Sequence, residues 1–424
     1  TEIMRVSGKL AQLIIKVDKQ YAKYETNGSI YVELDKSLYG LVESAALWYQ
    51  ECSEQLKDLG YTRSNTDPCL FHSNNKKSTI NIHVDDFLCS FRDKKEMERV
   101  HAYFHSKKCT ITTGTLDFLH MRVKTTPNGI EVDMTDYIVT HLDTWGVQGT
   151  APFPAQAHLF DVSENSPPAT DPKRYTSIVM ALMYCATRTR PDILLALSFL
   201  ATRCNKSTTS DEAKLDTLLR YLRYTSDLKL TLSPTNMNVS TYADASYNVH
   251  HDAKGHSGHI ITIGQCGALI AAKSSKQKVT SKSSCEAELI SADLSTATTI
   301  QAAATLAEFG FDIIPTLYQD NEGTIELAHS GHNTQSRSRH INTRFFHIKG
   351  LIESNQLDVQ HIRTANMTAD VLTKPLTGSK FIQFRNQMMN IDDTNTIKTS
   401  SDIEGVCTTY VAGSNSEARD ITID

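Results

Sequence analysis

From about residue 236 the chain passes from long helical runs to short apolar runs, and that change constrains the fold most. "NVSTYADA" reads as a strand, and "GHIITIG" and "GALIAAK" read as a hairpin around "GQCG". A long helix follows through "CEAELISADLSTATTIQAAATLAEFG", closed by Gly310. Beyond it come a strand ("TLYQD"), two helices ("NEGTIELAH" and "SRHINTRFFHIKGLIESN"), a strand ("QLDVQHI") and a last helix ("ANMTADVLT") stopped by "KP". The order β-β-β-α-β-α-α-β-α predicts a mixed sheet with helices on its faces.

Four acids fall at the ends of these elements. Asp244 ends the first strand, Glu288 lies in the first turns of the long helix, Asp320 ends a later strand, and Asp370 sits near the start of the last helix. Strand ends and helix starts on one edge of an α/β sheet are where side chains can converge. Two carboxylates at ~4 Å repel by about 4 kcal/mol at an effective dielectric near 20, so a cluster ionises only around a cation. Oxygen ligands without Cys or paired His favour Mg²⁺ or Mn²⁺ over zinc. Taken singly, each acid reads more readily as a cap or a surface residue than as a ligand.

Upstream, residues 1–150 mix strand-like and helical runs. "SENSPPATDPK" (163–173) reads as a linker, and residues 174–230 read as helices, with Pro191 opening one and Ser210 capping another. The Thr-, Ser- and Asp-rich residues after about 385 suggest a disordered tail, assigned to 379–424. No apolar run approaches the ~18 residues of a membrane helix. Nine cysteines without a C-x-x-C pair point away from zinc and disulfides and toward a reducing, intracellular setting.

The net charge of −5 excludes a uniformly basic nucleic-acid binder but not local patches. Two acid-free basic runs stand out: one carries Lys273, Lys276, Lys278 and Lys282, the other Arg337, Arg339, Arg344 and Lys349. Each is either a phosphate-contacting patch or a solvated face. His250, His251, His256 and His259 crowd one stretch, which reads as a solvated loop rather than a metal site.

The C-terminal unit resembles the ribonuclease H domain of copia-type retrotransposon Pol polyproteins. "YADASY", "SKSSCEAELISA", "YQDNEGTIELA", "SRHINTRFFHIKGLI" and "ANMTADVLTKPL" carry the likeness in order, over residues 236–378. The resemblance implies Asp244, Glu288, Asp320 and Asp370 as catalytic ligands of two Mg²⁺ or Mn²⁺ ions. Glu288 is favoured over Glu286 because it directly precedes Leu289, and Glu286 stays as the fallback. His361 is read as structural.

"LDKSLYGLVESAALWYQ", "LGYTRSNTDPCLF", "HVDDFL" and "LDFLHMRV" resemble the palm and following region of a copia-type reverse transcriptase. "RYTSIVMALMYCATRTRPDI" and "LLRYLRYTSDLKL" resemble its connection to ribonuclease H. This implies a partial palm and thumb (1–150), a linker and helical connection (151–235) and a ribonuclease H-like domain (236–378). Asp85 and Asp86 would then be polymerase metal ligands. The family's first palm motif and fingers are missing, so the chain reads as beginning just after them. His83 replaces the usual Tyr, and Val42, Glu43 and Ala45 stand where Lys, Gln and Pro are usual. Asp85 and Asp86 are therefore half a metal site, for which Asp18 is no substitute, and polymerase activity is not expected of this stretch alone.

The resemblance thus implies a multidomain α/β protein: an incomplete α+β polymerase palm and thumb, a helical connection and a ribonuclease H-like mixed sheet. The implied activity is endonucleolytic cleavage of the RNA strand of RNA–DNA hybrids, by a metal-activated water, leaving a 3′-OH and a 5′-phosphate. Hybrids are read through shape, phosphates and 2′-OH groups. Partners would be the hybrid and other parts of the polyprotein, with no membrane. Two rivals stand: a non-catalytic nucleic-acid-binding relic, and an active polymerase whose upstream part is merely missing from this sequence.

Overall fold

The computed structural model of the chain describes residues 2–34, 43–163, 165–330, 339–391 and 408–414. The N-terminal stretch holds a three-stranded sheet and then five strands of a six-stranded one, whose central hairpin is β1 (Ser78–His83) and β2 (Asp86–Phe91). Burial alternates along both strands, and Ile80, Ile82, Phe87, Cys89 and Phe91 pack inward against Val100 and Phe104.

Three helices follow: α1 (Pro172–Ala186), α2 (Leu194–Thr202) and α3 (Thr209–Tyr224). Pro172 and the Asp171 side chain, which accepts from the Arg174 amide, start α1. Pro191 opens a 3₁₀ turn (Pro191–Ile193) that leads into α2. Every residue of α2 from Leu194 to Leu200 is buried, so this helix is core all round rather than amphipathic. Thr208 caps α3 in a reciprocal box with Asp211, displacing the expected Ser210 to inside the helix. Nor is 163–173 a free linker. The Ala169 amide donates to Ser207 O and the Thr209 amide to Pro167 O, which ties the stretch to the start of α3.

The C-terminal unit contains β3 (Val239–Ser246), β4 (His256–Ile263), β5 (Ala268–Lys276), α4 (Ser284–Glu308), β6 (Thr316–Gln319), α5 (Glu322–Ser330), α6 (Arg339–Glu353) and β7 (Asp358–His361). The sheet order is β5-β4-β3-β6-β7, antiparallel on the β5 side and parallel from β3 to β7. Successive residues of β3 enter different cores. Tyr242 joins the cluster formed by α1, α2 and α3, while Ala243 joins Leu289, Ala292 and Leu317 under α4. The sheet is therefore covered on both faces. Because one apolar cluster runs from Met134 through the three helices to Phe384, the divisions expected at 150 and 235 do not interrupt the core.

Two expectations are corrected downstream. "ANMTADVLT" forms two 3₁₀ turns, Thr364–Asn366 and Thr368–Leu372, not a helix. The tail expected from 379 begins instead with α7 (Gly378–Met389), whose Phe381, Phe384 and Met388 enter the main core; residues Thr408–Ser414 form a strand against β2. Apolar residues within a polar stretch are enough to dock a helix. No helix among the described residues is long and apolar enough to cross a membrane.

Candidate metal centre

Parallel pairing sets Tyr242 of β3 beside Tyr318 of β6, so Asp244 and Asp320, each two residues further on, emerge together at the carboxyl edge of the sheet. Glu288 approaches from the first turns of α4, which the Ser283 side chain caps by accepting from the Glu286 amide. One carboxylate oxygen each from Asp244, Glu288 and Asp320 lies within 4.8 Å of the others. Among the described residues this is the one group of three His, Cys, Asp or Glu side chains so arranged. Asp244 and Glu288 are buried and Asp320 is half-buried.

Gln319 orients the group. Its Oε1 accepts from the Asp320 amide at 2.8 Å, and its Nε2 donates to Glu288 Oε2 at 3.4 Å. Asp244 accepts one bond from the Thr373 hydroxyl and another at 3.3 Å from Lys374 Nζ. Gly258, paired with Asp244 across the sheet, makes this possible. A Cβ there would lie 2.7 Å from Thr373 Cγ2 and 2.8 Å from Leu372 Cβ. Burial pushes the Glu288 carboxyl well above its ordinary range, and the Asp244 and Asp320 charges push it further. The Asp244 carboxyl is also raised, by burial first, with Lys374 opposing.

Those directions fix a pH dependence. A carboxyl raised on folding contributes stability below its unfolded value, and that contribution disappears as pH rises through the folded value. Glu288→Gln should therefore stabilise the ion-free protein at pH 8, a gain that vanishes near pH 4. Denaturant titrations of both proteins across that range check this; a gain that grows toward acid contradicts it. The buried histidines titrate in both proteins and cancel from the difference.

Asp370 is not within the group of three. Both its oxygens are held by lysines, Oδ1 by Lys374 at 2.6 Å and Oδ2 by Lys380 at 3.0 Å. Glu286 accepts from the Lys282 amide instead of entering the cluster. Sequence reasoning missed Gln319, Thr373, Lys374 and Lys380. Lys374 carries a signal, its i,i+4 spacing from Asp370, but it lies in the "KP" that reads as a helix stop.

The basic residues separate. Lys273 and Lys278 are exposed on and just beyond the edge strand β5, whereas Lys276 is paired with Asp252 at 2.8 Å and Arg344 with Asp293 at 3.3 Å. Arg337 lies outside the described residues, and Arg339 opens α6. In the histidine stretch His251 is exposed, as expected of a solvated loop, but the other three are not. His250, His256 and His259 are buried, with His250 Nε2 3.0 Å from His256 Nδ1 and His256 Nε2 2.7 Å from Ser274 Oγ. Burial lowers His250 and His259 to about 4 and His256 to about 3, so all three are neutral at pH 7. His361 ends β7 beside Gln319 with an exposed side chain.

In the N-terminal stretch, Asp85 and Asp86 sit at the turn of the β1–β2 hairpin, where His83 pairs with Asp86. Val84 holds the turn at φ 53°, a costly conformation for a β-branched residue. No third acid joins them among the described residues, and Asp18 caps a 3₁₀ turn by accepting from the Gln20 amide.

Residues 8–154 match the family model described as reverse transcriptase (RNA-dependent DNA polymerase). Over 84% of its length the chain is 29% identical to the retrovirus-related Pol polyprotein from transposon RE1 of Arabidopsis thaliana. The chain is similar in sequence to retrotransposon Pol polyproteins. The Pol polyprotein from transposon TNT 1-94 of Nicotiana tabacum is 26% identical over 82% of the chain. The chain spans about a quarter of the length of those two proteins, 25% and 27%. It covers 89% of a Ty5-1 transposon protein of Saccharomyces cerevisiae, at 29% identity over 63% of the chain. Among solved structures, a foamy viral protease-reverse transcriptase in complex with an RNA/DNA hybrid gives a TM-score of 0.49 at 14% identity, covering 88% of this chain and 42% of that one. An N-terminal RNase H domain from Mycobacterium tuberculosis gives 0.25 at 13%, covering 32% of this chain and 91% of that one.

Proposed function

We propose that the C-terminal unit of this Pol relative is a divalent-metal nuclease that cleaves the RNA strand of RNA–DNA hybrids. The observation that carries the reading is the convergence of Asp244, Glu288 and Asp320 oxygens within 4.8 Å at the carboxyl edge of the sheet. The donor set fits Mg²⁺ or Mn²⁺: all ligands are hard oxygens, and two of them are buried acids that ionise at a cost unless a cation compensates. Bound ions would stabilise the attacking and leaving oxygens of the phosphodiester. Gln319 holds Glu288 and Asp320 in place, and Thr373 holds Asp244. Asp370 is assigned to the same centre through its contact with Lys374. Asp85 and Asp86 are a polymerase remnant in this reading.

The test is cleavage of labelled RNA in a hybrid, in single strands and in duplex RNA, with Mg²⁺ and with chelator. Cleavage confined to the hybrid and to Mg²⁺ supports the proposal; equal cleavage of all three substrates counts against it. A non-catalytic nucleic-acid-binding relic is the second reading, favoured by the two lysines that cover Asp370. Hybrid binding without cleavage would select it.

Lys273 and Lys278 are exposed and are assigned here to hybrid phosphates. Replacing both with Ala should weaken hybrid binding and flatten its salt dependence, by about 0.9 in slope for each phosphate no longer neutralised, the value for B-form duplex. Fluorescence anisotropy at several salt concentrations measures this, and an unchanged slope makes the run a solvated face.

A further inference from the structure

The four acids are unequal in their counter-charges. Glu288 and Asp320 have no ion pair with any cation among the described residues, whereas Asp370 has two and Asp244 has one. A single ammonium, Lys374 Nζ, spans the gap between Asp244 Oδ1 at 3.3 Å and Asp370 Oδ1 at 2.6 Å. Both carboxylates are 1% exposed, but the lysine side chain is 38% exposed, so a path to solvent is open to it.

Its backbone is fixed on both sides. The Lys374 amide donates to Asp370 O at 2.9 Å, Ser246 Oγ donates to Thr373 O at 2.9 Å, and Pro375 follows. A change at this point therefore involves the flexible four-carbon stem and not the chain.

We propose that Lys374 is an internal counter-cation that fills the gap between Asp244 and Asp370 and must swing out before a divalent ion can bridge them. This rests on the metal-site reading above. Its consequence is ordered loading. Asp244, Glu288 and Asp320 accept an ion with the lysine in place, while an ion reaching Asp370 competes with the ammonium. The lysine thus keeps two buried carboxylates compensated in the ion-free protein and weakens the second ion-binding step.

Equilibrium Mn²⁺ binding, followed by electron paramagnetic resonance of the free ion without nucleic acid, tests this. The parent chain should bind in two steps, the second much weaker. Lys374→Met should strengthen the second step about tenfold or more and change the first much less. It should also melt earlier without ion and recover with Mn²⁺. Lys380→Met is the matched control. It removes the same charge from Asp370 without emptying the gap to Asp244, and should shift the second step less than about threefold. If Lys374→Met does not fold, Lys374→Gln keeps a donor toward Asp370 and should shift the second step in the same direction. Equal strengthening by the Lys374 and Lys380 variants, or no change in the second step, overturns the proposal. A parent chain that binds no Mn²⁺ overturns the metal-site reading itself, a result distinct from either.

Discussion

Asp320→Asn should slow hybrid cleavage by roughly a hundredfold or more while leaving the fold intact. The substitution keeps size and shape and removes one of the charges that converge at the sheet edge. Asp320 is the least buried of the three, and its amide bond to Gln319 does not involve its side chain. Losing about 3 kcal/mol of transition-state stabilisation corresponds to that rate change. Single-turnover cleavage at saturating hybrid, with circular dichroism of the same sample, measures both parts. A variant that cleaves at the parental rate returns Asp320 to the role of a strand-end cap, and one that unfolds makes it structural.

Asp192→Ala should destabilise the protein by about 3–5 kcal/mol, enough to unfold much of a chain of ordinary stability. Arg190 is fully buried, and its guanidinium donates to both Asp192 oxygens at 2.9 and 2.8 Å and to Thr225 O at 2.7 Å. Tyr221 completes the group by donating to Asp192 at 2.6 Å. Removing the carboxylate leaves an uncompensated charge in the core under α2 and α3. The double substitution Arg190→Met with Asp192→Leu should cost far less, since both charges leave together. Denaturant unfolding of the single and double variants decides it. Equal losses would mean that packing, not the orphaned charge, dominates.

The convergence of Asp244, Glu288 and Asp320 was legible in the sequence because strand and helix ends are local signals. The run "STYADA" and the run "TLYQD" each place an acid just past a paired tyrosine, and parallel pairing does the rest. Lys374 was not legible as a partner, because its bond to Asp244 depends on a close approach over Gly258 that spans more than a hundred residues of chain. The histidine stretch misled for a related reason. A polar, glycine-containing run looks solvated until α2 and Phe160 are packed over it. Local polarity likewise marked 163–173 as a linker and 379 onward as a tail, whereas backbone bonds to the start of α3 hold Pro167 and Ala169, and the apolar face of α7 docks 378–389 on the core. The basic runs were visible as charge, but not the acids Asp252 and Asp293 that engage Lys276 and Arg344.

Anomalous diffraction from crystals of this chain grown with Mn²⁺ tests the central claim most directly. A peak is expected within about 2.5 Å of oxygens from Asp244, Glu288 and Asp320. Ion-saturated crystals with no peak there, or with Mn²⁺ held only by other residues, would contradict it.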